Sequence, residues 1–317
     1  MSQAVAHIGA RREPELDLEV WLECYLADCE ARGLTARTLE WYRDRGKRLI
    51  RHLEAIGVRY PQELTRRTVS RLFTVLRGVT HRGKPLEPQT ILGYWQFGKG
   101  FTTFLIGEEA YPGPNPFDQF GKPRVPEKVM WAPSAEECRA MLKVPNRRSV
   151  AGLRDIVILL LLIDTGIRVS ALRGIRVEDV DLRERRIRVV EKGRRERIVP
   201  FGFQALRWLR RYLVTAKLGE ADFLLPGRHG RAISRKRIDE IIKACAANAG
   251  IRDGRASAHD LRRAFAREFL RNGGDLESLR QLLGHTSYAM VRRYAELATD
   301  VVARRHGMAS PGDHLRP

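Results

Sequence analysis

Leu282-Leu283-Gly284-His285-Thr286-Ser287-Tyr288-Ala289-Met290-Val291-Arg292-Arg293-Tyr294 is the stretch on which the reading of this chain turns. Gly284 has the character of a helix stop and a new helix begins near Thr286, so His285 falls at a junction between two helices. Two tyrosines follow on the new helix. Tyr288 and Tyr294 lie six residues apart, a rotation of about 240° on an α-helix, so the two phenols cannot share a face.

Three further pieces lie upstream. His259-Asp260-Leu261-Arg262 opens a helix expected over about His259 to Asn272, and its i, i+3 spacing puts His259 and Arg262 on one face, where both could reach one phosphate. Glu191-Lys192-Gly193-Arg194 holds the turn of a β-hairpin whose strands are read as Arg186 to Val190 and Arg195 to Val199. Thr165-Gly166-Ile167-Arg168-Val169-Ser170 follows a nearly all-apolar helix, Leu153 to Ile163, so Arg168 sits at a helix end that a rigid core would aim. Such groups suit chemistry on a phosphodiester. Displacing an alkoxide at neutral pH needs a nucleophile, donors for the extra charge of a pentacoordinate phosphorane, and a proton for the leaving oxygen. Guanidinium groups can carry that charge, because they stay protonated and their fork matches two phosphate oxygens. Arg168 and Arg262 are the pair chosen for this.

Together, in this order, the four pieces resemble the tyrosine recombinase family, the group that contains the Xer proteins and phage integrases. The resemblance covers residues 131 to about 300. It implies a two-domain enzyme that cuts and rejoins DNA through a 3′-phosphotyrosine and a Holliday junction, without ATP. Tyr294, nine residues after His285, becomes the nucleophile, with Tyr288 a packing residue. Lys192 becomes the general acid that protonates the leaving 5′ oxygen, while Arg168, His259, Arg262 and His285 hold the phosphate. One position departs from the pattern. Ala171 stands three residues after Arg168, where many relatives carry an acid, so the sequence does not say what supports Arg168.

The totals are compatible with this. Lys and Arg number 58 against 38 Asp and Glu, a formal charge of +20, which calls for a polyanionic partner. Hydrophobic residues make up 43% of the 317, enough to bury real cores, and the length favours two domains over one. The fold class expected is mainly α with a small antiparallel β-sheet. Residues 1–13 read as an extension and 14–110 as a helical core-binding domain, whose apolar series run from Leu18, Leu39, Val69 and Leu92. Five prolines between Tyr111 and Glu127 mark 111–130 as an extended linker crossed by no helix. Ser134 and Glu137 form a capping-box pattern that starts the catalytic domain, 131–300. The tail, 301–317, continues an apolar stripe of Leu297, Ala298, Val301 and Val302, which is read as a contact between subunits.

The resemblance further implies double-stranded DNA with paired half-sites as substrate, and a homotetramer or a related recombinase as partner. The short stretch before Leu16 leaves no room for an arm-binding domain, so the simpler recombinases are the nearer analogy. No cofactor or metal is called for: Cys24, Cys29, Cys138 and Cys245 form no CxxC pair and have no His at ligand spacing, as in a reducing cytosol. The longest apolar run, Ile156 to Ile163, is too short to span a bilayer, and a cytoplasmic, nucleoid-associated protein is expected. Two rivals stay open: a type IB topoisomerase-like strand transferase, and a non-catalytic DNA-binding protein of the same fold.

Overall fold

A computed structural model describes residues 16–81, 83–126, 130–191, 196–251, 256–284 and 287–295, together with His306 and Ser310. The described residues fall into two compact units that divide between positions 128 and 129. The expected tail stripe, Leu297 to Val302, lies outside the described residues, as do Lys192 and His285.

The first unit is helical. Its helices are α1 (Leu18–Ala31), α2 (Ala36–Glu54), α3 (Arg66–Gly78), α4 (Pro88–Gly107) and α5 (Pro116–Phe120), with a two-stranded ribbon, β1 (Thr80–His81) and β2 (Lys84–Pro85), ahead of α4. Asp17, Thr35 and Thr65 cap the first three helices, each accepting a hydrogen bond from a first-turn backbone N–H. The apolar faces of α1 to α4 then close on one core that includes Leu22, Leu49, Leu72, Phe73 and Phe101.

Helix α5 corrects the reading of the proline-rich stretch as wholly extended. A proline at the first helical position loses no hydrogen bond, because that N–H has no partner in the helix anyway, and Pro116 occupies that position behind the cap Asn115. Phe117, 1% exposed, then enters the core against α4. A Cβ on Gly98 would stand 2.2 Å from the Phe117 ring. Trp95 secures the same junction, its indole N–H donating to the Phe117 carbonyl at 2.9 Å.

The second unit contains α6 (Ala135–Lys143), α7 (Val150–Thr165), α8 (Val169–Gly174), α9 (Phe203–Ala216), α10 (Arg235–Asn248), α11 (Ala258–Arg271), α12 (Leu276–Leu283) and α13 (Tyr288–Ala295). Ser134 and Glu137 close a reciprocal capping box on α6. Helix α7 is the axis of this unit. Ile156 to Leu162 are all buried, and burying each such side chain fully stabilises the fold by about 1.5–3 kcal/mol.

The hairpin strands are β4 (Arg186–Val190) and β5 (Glu196–Pro200), joined by a short strand β3 (Val180–Asp181) in an antiparallel sheet of order β3-β4-β5. The sequence led us to expect a hairpin projecting from the body. The sheet instead lays one face on the core through Ile187, Val189 and Val199, while Val190 and Ile198 face out, as a period of two requires. No helix among the described residues is long and apolar enough to cross a membrane.

Candidate active site

The last carbonyls of a helix have no partner within it and carry the negative end of its dipole. At the end of α12 three consecutive carbonyls are met by three arginines from three different elements. Arg197 on β5 donates to Leu282 O at 2.6 Å, Arg262 on α11 to Leu283 O at 2.7 Å, and Arg168, the N-cap of α8, to Gly284 O at 3.4 Å. Gly284 makes this stop possible with its left-handed φ of 62°. Arg262 also donates to Gly166 O at 2.5 Å, and Gly166 ends α7 with a φ of 59°. One guanidinium therefore ties together the ends of two helices.

Arg262 is 4% exposed. Burial pushes its pKa down to about 10, and the neighbouring positive charge of Arg168 pushes the same way. It remains a cation at neutral pH. Its guanidinium also donates to the Tyr294 hydroxyl. The Tyr294 ring, 5% exposed, packs with Phe265, Leu279, Leu283 and Val291, so α13 is held against α11 and α12 by the residue that carries the phenol.

Tyr288 is not the packing residue expected of it. It is 53% exposed, its hydroxyl donates to the Glu277 carboxylate, and Arg280 lies 5.5 Å from the centre of its ring. The bond to Glu277 holds the phenol pKa above its ordinary value and so disfavours the phenolate a nucleophile would need. We expect Tyr288→Phe to form a covalent DNA adduct at a rate within about threefold of the parent, as for other exposed substitutions. Abolition of the adduct, read on a denaturing gel, would transfer the nucleophile to Tyr288.

His259 is the second residue of α11, behind a capping box in which Asp260 N donates to Ser257 Oγ at 3.4 Å and Ser257 N to Asp260 Oδ2 at 3.0 Å. It is exposed, whereas Arg262 three residues on is buried, so the expected pair divides between surface and interior. Surrounding protein, and then the charges of Arg263 and Arg262, hold the imidazole pKa below its ordinary value. At neutral pH the ring is mostly neutral and offers one donor and one acceptor.

Arg168, Arg262 and Tyr294 are thus connected through the end of α12, with His259 on the helix that carries Arg262. Sequence reading treated Glu191 only as part of a motif and Arg197 only as one cation among several on the hairpin. In the structure Glu191 is the carboxylate between Arg168 and Arg197. One signal for it was present: with Ala171 at position 171, the counter-ion of Arg168 had to come from another element.

A profile of the phage integrase family matches residues 134–300, more than half of the chain. Tyrosine recombinase XerD of Yersinia pestis is 33% identical over 202 residues, an alignment spanning 62% of this chain and 68% of that protein. Among solved structures, XerH site-specific recombinase bound to a palindromic difH substrate, a post-cleavage complex, superposes with a TM-score of 0.69 at 17% identity, covering 92% of this chain and 84% of that one. A lambda integrase tetramer bound to a Holliday junction gives 0.66 at 17% identity, covering 90% and 82%. At such identities the two structures establish the fold. With the profile and the XerD relative beside them, the chain belongs to the phage integrase family, the family of the tyrosine recombinases.

Proposed function

We propose that this protein is a site-specific DNA recombinase that cuts and rejoins DNA through Tyr294. The observation that carries the reading is the single bonded cluster of Arg168, Arg262 and Tyr294 at the end of α12: two cations able to grip a phosphate, one of them bonded to the phenol that would attack it. The Tyr294 oxygen forms a bond to phosphorus and gives its proton to water, and the bond from phosphorus to the 5′ oxygen breaks. Arg168 and Arg262 offset the added charge on the non-bridging oxygens, with His259 and His285 as further donors. Lys192 gives the 5′ oxygen its proton. The product is a 3′-phosphotyrosine and a free 5′ hydroxyl. Its bond energy is conserved, so attack by a 5′ hydroxyl from a second duplex rejoins the strands without ATP.

The N-terminal helices, within residues 14–110, supply the second hold on DNA in this reading. A cleft of about 770 Å³ in that unit is lined by Arg45, Lys47, Arg48, Arg51 and Lys84 against Asp44 and Glu87, an excess of positive charge suited to a phosphate backbone. Residues 131–300 are the catalytic domain, and a tetramer acting on two paired sites in the cytoplasm is the assembly the family implies. The tail, 301–317, is proposed to join neighbouring subunits.

The test is to select binding sites from random duplexes and offer the enriched site as a nicked suicide substrate. A covalent adduct together with four-way junctions between two labelled duplexes is expected. Relaxation of supercoiled DNA with an adduct but no junction would favour the topoisomerase-like reading. Tight binding with no adduct would make the protein a non-catalytic DNA binder.

A further inference from the structure

The Glu191 carboxylate lies at the meeting point of three cations. One oxygen accepts from Arg168 Nη1 and the other from Arg197 Nη2 at 3.0 Å. Arg262, which donates to the adjacent carbonyl of Leu283, brings a third guanidinium to the same helix end, where burial and then the charge of Arg168 hold its pKa down. Three guanidinium groups gathered on one helix end repel one another, and the carbonyl dipoles of α12 offset only part of that. Glu191 supplies the nearby negative charge. It does so from within the protein: its side chain is 10% exposed, against 36% for Arg168. A carboxylate so covered is a fixture of the site. Arg168 Nη2 turns to Gly284 O at 3.4 Å, and the exposed part of the guanidinium keeps N–H donors for an incoming phosphate.

Two neighbours fit this arrangement. A Cβ at Gly284 would stand 2.8 Å from Glu191 Oε2 and 3.1 Å from Arg197 Nε, so the ion pair rests against a backbone that only glycine leaves open. Ala171, 3% exposed, is packed in the apolar core beneath α8, where a carboxylate three residues after Arg168 would meet no water.

We propose that Glu191 is the positioning residue of Arg168, holding its Nη1, with Arg197 as the brace on the far side of the carboxylate, so that the remaining N–H donors of the guanidinium meet the scissile phosphate. This rests on the recombinase reading above and adds to it a residue that never touches DNA.

Glu191→Ala and the shape-preserving Glu191→Gln are compared with the parent and with Arg168→Ala. Adduct formation in single turnover is expected to slow by roughly ten- to a hundredfold in each Glu191 variant. DNA affinity and melting temperature should stay near the parent's in Glu191→Gln. In the Arg168→Ala background the Glu191 substitutions should cost nothing further, because the group they act through has gone. Glu191 precedes Lys192, so a substrate whose 5′ bridging oxygen is replaced by sulfur, which leaves without a proton, separates the two routes. The Glu191 defect should persist on it. Additive losses in the double variant, or rescue by sulfur, would overturn the proposal. A second readout needs no catalysis: phenylglyoxal labelling of Arg168, mapped by peptide mass, should rise several-fold in Glu191→Gln, and unchanged labelling would also overturn it. If the parent itself forms no adduct, the recombinase reading falls, and the labelling alone decides whether Glu191 holds Arg168.

Discussion

Tyr294→Phe is expected to bind its DNA site within about threefold of the parent and to form no covalent adduct, a loss of at least about a thousandfold. The reason is local. The substitution removes one oxygen and leaves the ring, which packs with Phe265, Leu279, Leu283 and Val291 and holds α13 in place. Arg262 loses its bond to the phenol yet keeps Gly166 O and Leu283 O, so the guanidinium stays where it is. Losing one hydrogen bond to a charged group costs about 1.5–3 kcal/mol, so the variant should be somewhat less stable than the parent but still folded. Incubating parent and variant with a nicked suicide substrate, then resolving them on a denaturing gel, reads the chemistry directly. A persistent adduct in the variant would move the nucleophile elsewhere. Tyr288 would be examined first, even though its bond to Glu277 works against it.

The parts of this protein legible in its sequence are those set by neighbouring residues. The apolar run within α7, the capping box of Ser134 and Glu137, and the glycine stop at Gly284 each depend on positions a few residues apart, and each lies where local chemistry puts it. Helix α5 hides in the sequence because proline has the character of a breaker, whereas at Pro116 it stands at a helical position that needs no donor. Strand β3 was missed because its two residues, Val180 and Asp181, are too few to show an alternation. The support of Arg168 was missed for a different reason. Its partners lie 23 and 116 positions away, at Glu191 and Gly284, and no local pattern joins them. His259 and Arg262 show the limit from the other side: i, i+3 spacing gives proximity along a helix, but only packing makes one residue exposed and the other buried.

Lys192→Ala is expected to slow cleavage of ordinary DNA by about a hundredfold to ten-thousandfold, the range over which a positioned general acid acts. It should recover most of that loss on a substrate with sulfur at the 5′ bridging position. An alkoxide is a poor leaving group unless it is protonated as the bond breaks, whereas a thiol ionises with a pKa near about 8.5 and can depart as the anion. Sulfur therefore removes the need for a proton and nothing else. The charge on the non-bridging oxygens still has to be offset, so Arg168→Ala should stay defective on the same substrate. Lys192 directly follows Glu191, whose carboxylate is bonded to Arg168 and Arg197, so the proposed acid is attached in sequence to the ion pair that holds the proposed phosphate-binding arginine. The substrate thus sorts the variants by the step each one supports: Lys192→Ala with proton transfer, Arg168→Ala and Glu191→Ala with charge stabilisation. Equal rescue of Lys192→Ala and Arg168→Ala would refute the general-acid assignment. Absence of rescue in Lys192→Ala would mean that the proton comes from another donor.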